Sequence, residues 1–152
     1  MTSLHEWAVA LDQLMPLIKE RVAAGQTVTF SPKGTSMLPM LQQGRDTVEL
    51  SSLPEGKLKK YDLPLYQRDD GHYVLHRIVK VRDHYTCIGD NQHLLEYPVR
   101  HDQLIAIVTA YTHNGKRFSV KSLRYKLYCR FWHWSRPVRY VWCRLKTKLK
   151  HS

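Results

Sequence analysis

Residues 26–108 constrain this chain most. There the apolar residues come in short runs, cut by turn signals, and never hold a helical period. Runs at 27–30, 46–50, 63–66, 73–81, 85–88 and 104–108 read as strands. The breaks between them fall at Gly44, 54–56, Asp69-Asp70-Gly71, Arg82-Asp83 and Gly89-Asp90-Asn91. Asp70-Gly71 is a good hairpin signal. Strands this short, with so little chain between them, can only return on their neighbours. The expected core is therefore an antiparallel, partly barrel-like sheet, without internal repeat or low-complexity sequence.

The flanks follow a different period. Over residues 3–24, Leu4, Trp7, Leu11, Leu14, Leu17 and Ile18 recur at three- and four-residue steps and give one apolar helical face, with Ser3 as cap and Gly25 as terminator. Near the other end Leu123, Leu127, Phe131 and Trp134 recur by turns. Beyond Pro137, which suits the first turn of a new helix, Val138, Val141, Trp142, Leu145 and Leu149 do the same. The expectation is mainly β with flanking helices: an amphipathic helix over 1–25, a β domain over 26–112 and a basic, aromatic helical tail over 119–152.

Charge separates the tail from the rest. Residues 1–102 carry twelve Lys and Arg against thirteen acids, and residues 103–152 carry twelve Lys and Arg and no acid, so the whole net charge of +11 resides in the last third. An anionic partner would thus meet the tail. Its Trp132, Trp134, Trp142, Tyr125, Tyr128 and Tyr140 alternate with cations, as at a membrane interface. Caps on the sheet domain, or stacking on single-stranded nucleic acid, are the alternatives; nucleic acid is the weakest, because no nucleic-acid motif accompanies the charge. No apolar run approaches the ~18 residues of a membrane span, and the first fifteen residues do not have a signal-peptide pattern. Cys87, Cys129 and Cys143 show neither metal spacing nor an even disulfide set, so no metal or other cofactor and a reducing, cytoplasmic setting, peripheral to the membrane, are expected.

Three short segments carry candidate chemistry. Gly34-Thr35-Ser36-Met37-Leu38-Pro39 places a serine in a crowded turn between strand-like runs. In 73–79, alternation puts His76 between Val74 and Ile78 on an otherwise apolar face; it reads either as a core histidine or as a general base, since an imidazole with a pKa near ~6.5 is neutral at pH 7. Gly89-Asp90-Asn91 ends the next strand, and Asp90 either makes an Asx turn or orients the histidine as the acid of a serine triad does.

In order and spacing, Ser-Met-x-Pro, then Gly44-x-Asp46-x-Val48, then His76-Arg77-Ile78-Val79, then Gly-Asp-Asn closely resembles the signal peptidase I family over 30–108. His76 stands where the bacterial form usually has Lys, so the match is to the His form found in the endoplasmic reticulum, archaea and some Gram-positive bacteria. The related SOS-repressor peptidases share the Gly-x-Ser-Met turn and use Lys. The resemblance implies Ser36 as nucleophile, His76 as base and Asp90 as supporting acid. It also implies a substrate bound as an extended strand, with small side chains before the cut and Gly34, Thr35 and Met37 beside the oxyanion and substrate strand. Two positions depart from the pattern. Glu96 stands where a second Asp follows Gly-Asp-Asn, which makes it a possible supporting acid. Gly34 replaces a serine whose hydroxyl assists the oxyanion hole, leaving more to the Ser36 N–H; loss of one such donor costs ~100-fold or more.

The expected function is a serine endopeptidase that removes a leader or signal segment from a precursor peptide. The rivals are a self-cleaving regulator, with Ala24-Gly25 as the cleavage dipeptide, and a non-catalytic binding module on the same fold.

Overall fold

The computed structural model describes residues 4–150, with side chains from Asp12 onward. Among these residues nine strands form two antiparallel sheets, flanked by one helix before them and two after. The larger sheet runs β1(Val28–Phe30), β2(Thr47–Ser51), β8(Leu104–His113), β3(Pro64–Gln67), β4(Tyr73–Leu75), with β9(Lys116–Ser119) also on β8. The smaller sheet is β5(Arg77–Val81), β6(Tyr85–Ile88), β7(Glu96–Val99). The partly barrel-like closure expected from the strand succession is not found: the larger sheet is open and ends on β1 and β4. One apolar core lies where the first helix and the large sheet meet, around Leu50, Leu65 and Val108; a second, around Ile78, Cys87 and Val99, lies on the small sheet.

Three sequence expectations shift. The run 73–81 is two strands, β4 and β5, and the chain changes sheet at His76, which belongs to neither. The sheet also extends past residue 112, because β8 turns at Asn114-Gly115 into β9. Both turn residues have positive φ (51° and 77°), as a two-residue primed hairpin requires, and this Asn-Gly signal was present in the sequence. Strand β7 was also missed, since Pro98 hides a short edge strand.

The first helix, α1(Leu4–Ala23), ends as expected at Gly25, whose φ of 77° lets Gln26 N–H reach back to the Arg21 carbonyl at 2.9 Å. It packs through Met15, Ile18 and Val22, whereas Leu14 and Leu17 of the expected face are half-exposed. Leu4, Trp7, Leu11 and the Ser3 cap lie outside the described side chains.

The second helix, α2(Leu123–Trp134), is capped by Ser122, whose hydroxyl accepts from Tyr125 N–H, and its Leu123–Trp134 stripe does not cap the sheet. Tyr125 and Cys129 are buried and Tyr128 packs beside them, while the apolar stripe of Leu123, Leu127, Phe131 and Trp134 faces outward. This half of the 119–152 tail thus belongs to the folded body. The third helix, α3(Arg136–Lys150), has no buried residue.

Candidate active site

The segment that carries Ser36 is held at several points. Gly34 has φ of 87°, a conformation that disfavours any side chain, and donates its N–H to Gln43 Oε1 at 2.7 Å. A serine at this position would be strained, which is a backbone reason for the glycine. Behind the turn, Asn91 N–H bonds the Ser36 carbonyl at 2.9 Å and Asn91 Nδ2 bonds the Thr35 carbonyl at 3.2 Å. Gly89 lies so close that a Cβ there would sit 2.6 Å from the Ser36 carbonyl oxygen. Gly89-Asp90-Asn91 is therefore the backing against which the serine turn is fixed. Met37 is buried in the core and at the cleft wall, and Thr35 is exposed.

Downstream, Asp46 ties this turn to the sheet. Its buried carboxylate accepts from Gln42 N–H at 2.9 Å, from Arg45 at 2.8 Å and from Asn114 N–H at 3.2 Å. The Arg45 hydrogen bonds hold it well below the usual carboxylate range, against the opposing effect of burial.

Ser36 and His76 line one cleft of about 570 Å3. Its walls include Phe30, Pro32, Lys33 and Gly34 on one side and Tyr73, Val74 and Leu75 on the other. These are the two ends of the large sheet, the free edges of β1 and β4 with the chain that continues from each. His76 is buried at the junction between the two sheets.

The acid beside His76 is Glu96, not Asp90. Glu96 Oε2 stands 3.4 Å from His76 Nδ1, and the Tyr66 oxygen stands 3.5 Å from the same nitrogen. Tyr66 donates its hydroxyl to Glu96 Oε2 at 2.8 Å, and Arg68 grips both Glu96 oxygens, at 2.7 and 2.9 Å. Partial burial alone would raise the Glu96 pKa. Hydrogen bonds from His76, Arg68 and Tyr66 outweigh it and hold the group down at about 2. The spacing at Nδ1 exceeds the roughly 2.7–3.2 Å of a settled N–H···O bond, as is common in catalytic pairs before substrate binds. An Nδ1–H aimed at this carboxylate leaves the Nε2 lone pair to accept a proton.

Asp90 is placed elsewhere. Arg77 donates to both of its oxygens, at 2.8 and 2.9 Å, and Tyr128 donates to Oδ2 at 2.8 Å. Trp132 Nε1 and Arg139 bond the Asp90 carbonyl. With its carboxylate taken up in this way, Asp90 does not serve as the histidine's partner, and the expectation that it orients His76 is corrected. Its work is to fold the Gly89–Asn91 turn and to fasten α2 to it. Tyr66 and Arg68 were missed from the sequence. They lie in and just after an evident strand, but nothing local points to an acid almost thirty residues on.

Among the described residues, no cluster of His, Cys, Asp or Glu has the makings of a metal site. Comparison with protein-family models, curated proteins and solved structures returns no match.

Proposed function

We propose that this chain is a serine endopeptidase of the signal peptidase I type, on a fold of the signal-peptidase and repressor-peptidase kind, and that it trims a leader or signal segment from a precursor peptide. The observation that carries the reading is Ser36 and His76 in one cleft between two free strand edges, with Glu96 behind the histidine. An extended substrate can pair its backbone with such an edge, which places a scissile carbonyl beside Ser36. The Ser36 hydroxyl then attacks that carbon while His76 Nε2 takes its proton, and Glu96 stabilises the imidazolium. The backbone N–H of Ser36 meets the developing oxyanion, with no hydroxyl at position 34 to help it. The imidazolium returns its proton to the leaving amine. His76 next deprotonates a water that attacks the acyl-serine, and the carboxylate product leaves with Ser36 restored. The resemblance in the Ser36, His76 and Gly-Asp-Asn segments supplies the reaction class and the preference for small residues before the cut.

The self-cleaving alternative gains nothing from the geometry. Ala24 and Gly25 form the C-terminal cap of α1, a closed conformation and not the extended one that a cleft of this kind accepts, and neither lines the cleft.

The test is to incubate the purified chain with a peptide library rich in leader sequences and to read new N-termini by mass spectrometry. Cleavage after small residues is expected, and Ser36→Ala should abolish it without lowering the melting temperature. Equal turnover by Ser36→Ala would sink the reading. No cleavage of any peptide, with the chain folded, would favour the binding module.

A further inference from the structure

The outward face of α2 and α3 is unusual for a folded surface. Leu123, Leu127, Phe131 and Trp134 are exposed on α2, Phe131 by 68% and Trp134 by 87%. Val138, Val141, Trp142 and Leu145 continue on α3, with Trp142 61% exposed. On α3 these four fall at three- and four-residue steps and make one stripe. Lys146 lies along one border of that stripe and Arg144 along the other, so their aliphatic stems can cover it while their charges reach outward.

We infer that this face is a docking surface for an anionic lipid bilayer, with both helices lying in the headgroup plane. Charge complementarity chooses the occupant: residues 103–152 contain twelve Lys and Arg and no acid, which suits a continuous negative surface and opposes a second copy of the same face. Apolar residues large enough to enter the acyl boundary accompany the cations, whereas a purely electrostatic patch would not need them. No described helix is long and apolar enough to cross a membrane, so contact would be interfacial. The helix α3 also adjoins the loop that leads to the candidate site. His93 meets Tyr140 of α3 edge-on, with ring centres 5.4 Å apart, and the exposed Leu94 and Leu95 lead from it directly into Glu96. Tyr140 lies on the side of α3 opposite the stripe, so a docked α3 would hold this loop one helix diameter, ~10 Å, from the bilayer. The inference concerns this surface alone and does not depend on the peptidase reading.

The test is co-sedimentation of the full chain with vesicles of phosphatidylcholine alone or of phosphatidylcholine mixed equally with phosphatidylglycerol. Binding to the anionic vesicles should be at least about tenfold tighter and should weaken as salt is added, without vanishing. Two variants separate the contributions. F131S/W142S/L145S alters only exposed side chains and should melt like the parent while losing the salt-resistant part of binding. R144Q/K146Q/K150Q leaves the stripe intact and should lose about tenfold or more of the preference for anionic lipid. Equal partition into both vesicle types would overturn the inference, as would unchanged binding by both variants. A single-stranded oligonucleotide bound more tightly than the anionic vesicles at equal salt would reassign the face to nucleic acid. A dimer that F131S/W142S/L145S dissociates, with vesicles left unbound by the parent, would reassign it to a second copy. Collapse of cooperative unfolding in both variants would show that the stripe is packed within the fold and would overturn the proposal as well.

Discussion

His76 and Arg77 are neighbours in the chain, each meets an acid, and the two pairs do opposite work. Arg77 and Asp90 are sealed, with side chains only 3% and 2% exposed, and α2 closes over them through Tyr125, Tyr128 and Cys129. His76 is as buried, at 4%, but it lines the cleft, and its neighbour Glu96 keeps a quarter of its side-chain surface and is shared among Tyr66, Arg68 and the imidazole. A permanently charged arginine clamped on both oxygens of a buried acid can only be kept or broken. A histidine that can be neutral, next to an acid kept ionised by a separate arginine, can take up and release a proton. The contrast shows that an acid's partner, and not its place in a motif, decides whether it is a fastening or a participant.

The largest expected effect tests the pair at the cleft. Glu96→Gln should lower the cleavage rate by about a thousandfold or more, through loss of imidazolium stabilisation and of the fixed tautomer, while the chain stays folded at neutral pH. Asp90→Ala should reverse the pattern. It leaves the Arg77 guanidinium buried without its acid and should lower stability by about 3–5 kcal/mol, measured by denaturant unfolding. If Asp90→Ala were fully stable yet inactive, and Glu96→Gln fully active, the two assignments would have to be exchanged.

Gly89→Ala probes the link between the regions. The added methyl would press on the Ser36 carbonyl oxygen, so the backing turn must move; a loss of about 1–3 kcal/mol is expected, together with slower cleavage. Normal stability and rate would show that the serine turn does not lean on Gly89.

The smallest effect is a pH dependence. The Glu96 pKa is lowered from 4.5 in the unfolded chain to about 2 in the fold, so the group stabilises the fold fully above 4.5 and loses that contribution as pH falls toward 2. Melting temperatures of the parent and Glu96→Gln should therefore converge over that interval and stay apart above it. A gap that does not change between pH 2 and 5 would mean that Glu96 is not held ionised by its neighbours.

Residue type and spacing alone determined the succession of short strands, the Gly25 helix stop, the basic acid-free tail, and the three segments that converge near the cleft. These are local properties: the period of apolar residues, the φ that glycine permits and the sum of charges do not depend on what the chain packs against. The tertiary structure alone decided which acid stands at His76. Asp90 and Glu96 are both close in sequence to the end of β6, and only the meeting of β3 with β7 brings Tyr66 and Arg68 to Glu96, while only the docking of α2 gives Asp90 its enclosure. It also decided which face of α2 turns inward. Periodicity marks a helix's inner face when only one face is apolar. Here both qualify, and the buried Arg77–Asp90 pair selects the one whose side chains can hydrogen-bond: Tyr125 and Cys129 accept from Arg77, and Tyr128 donates to Asp90. Leucines and phenylalanine would have left the remaining Arg77 donors and Asp90 lone pairs unsatisfied, and a buried ion pair needs those further hydrogen bonds to offset its desolvation.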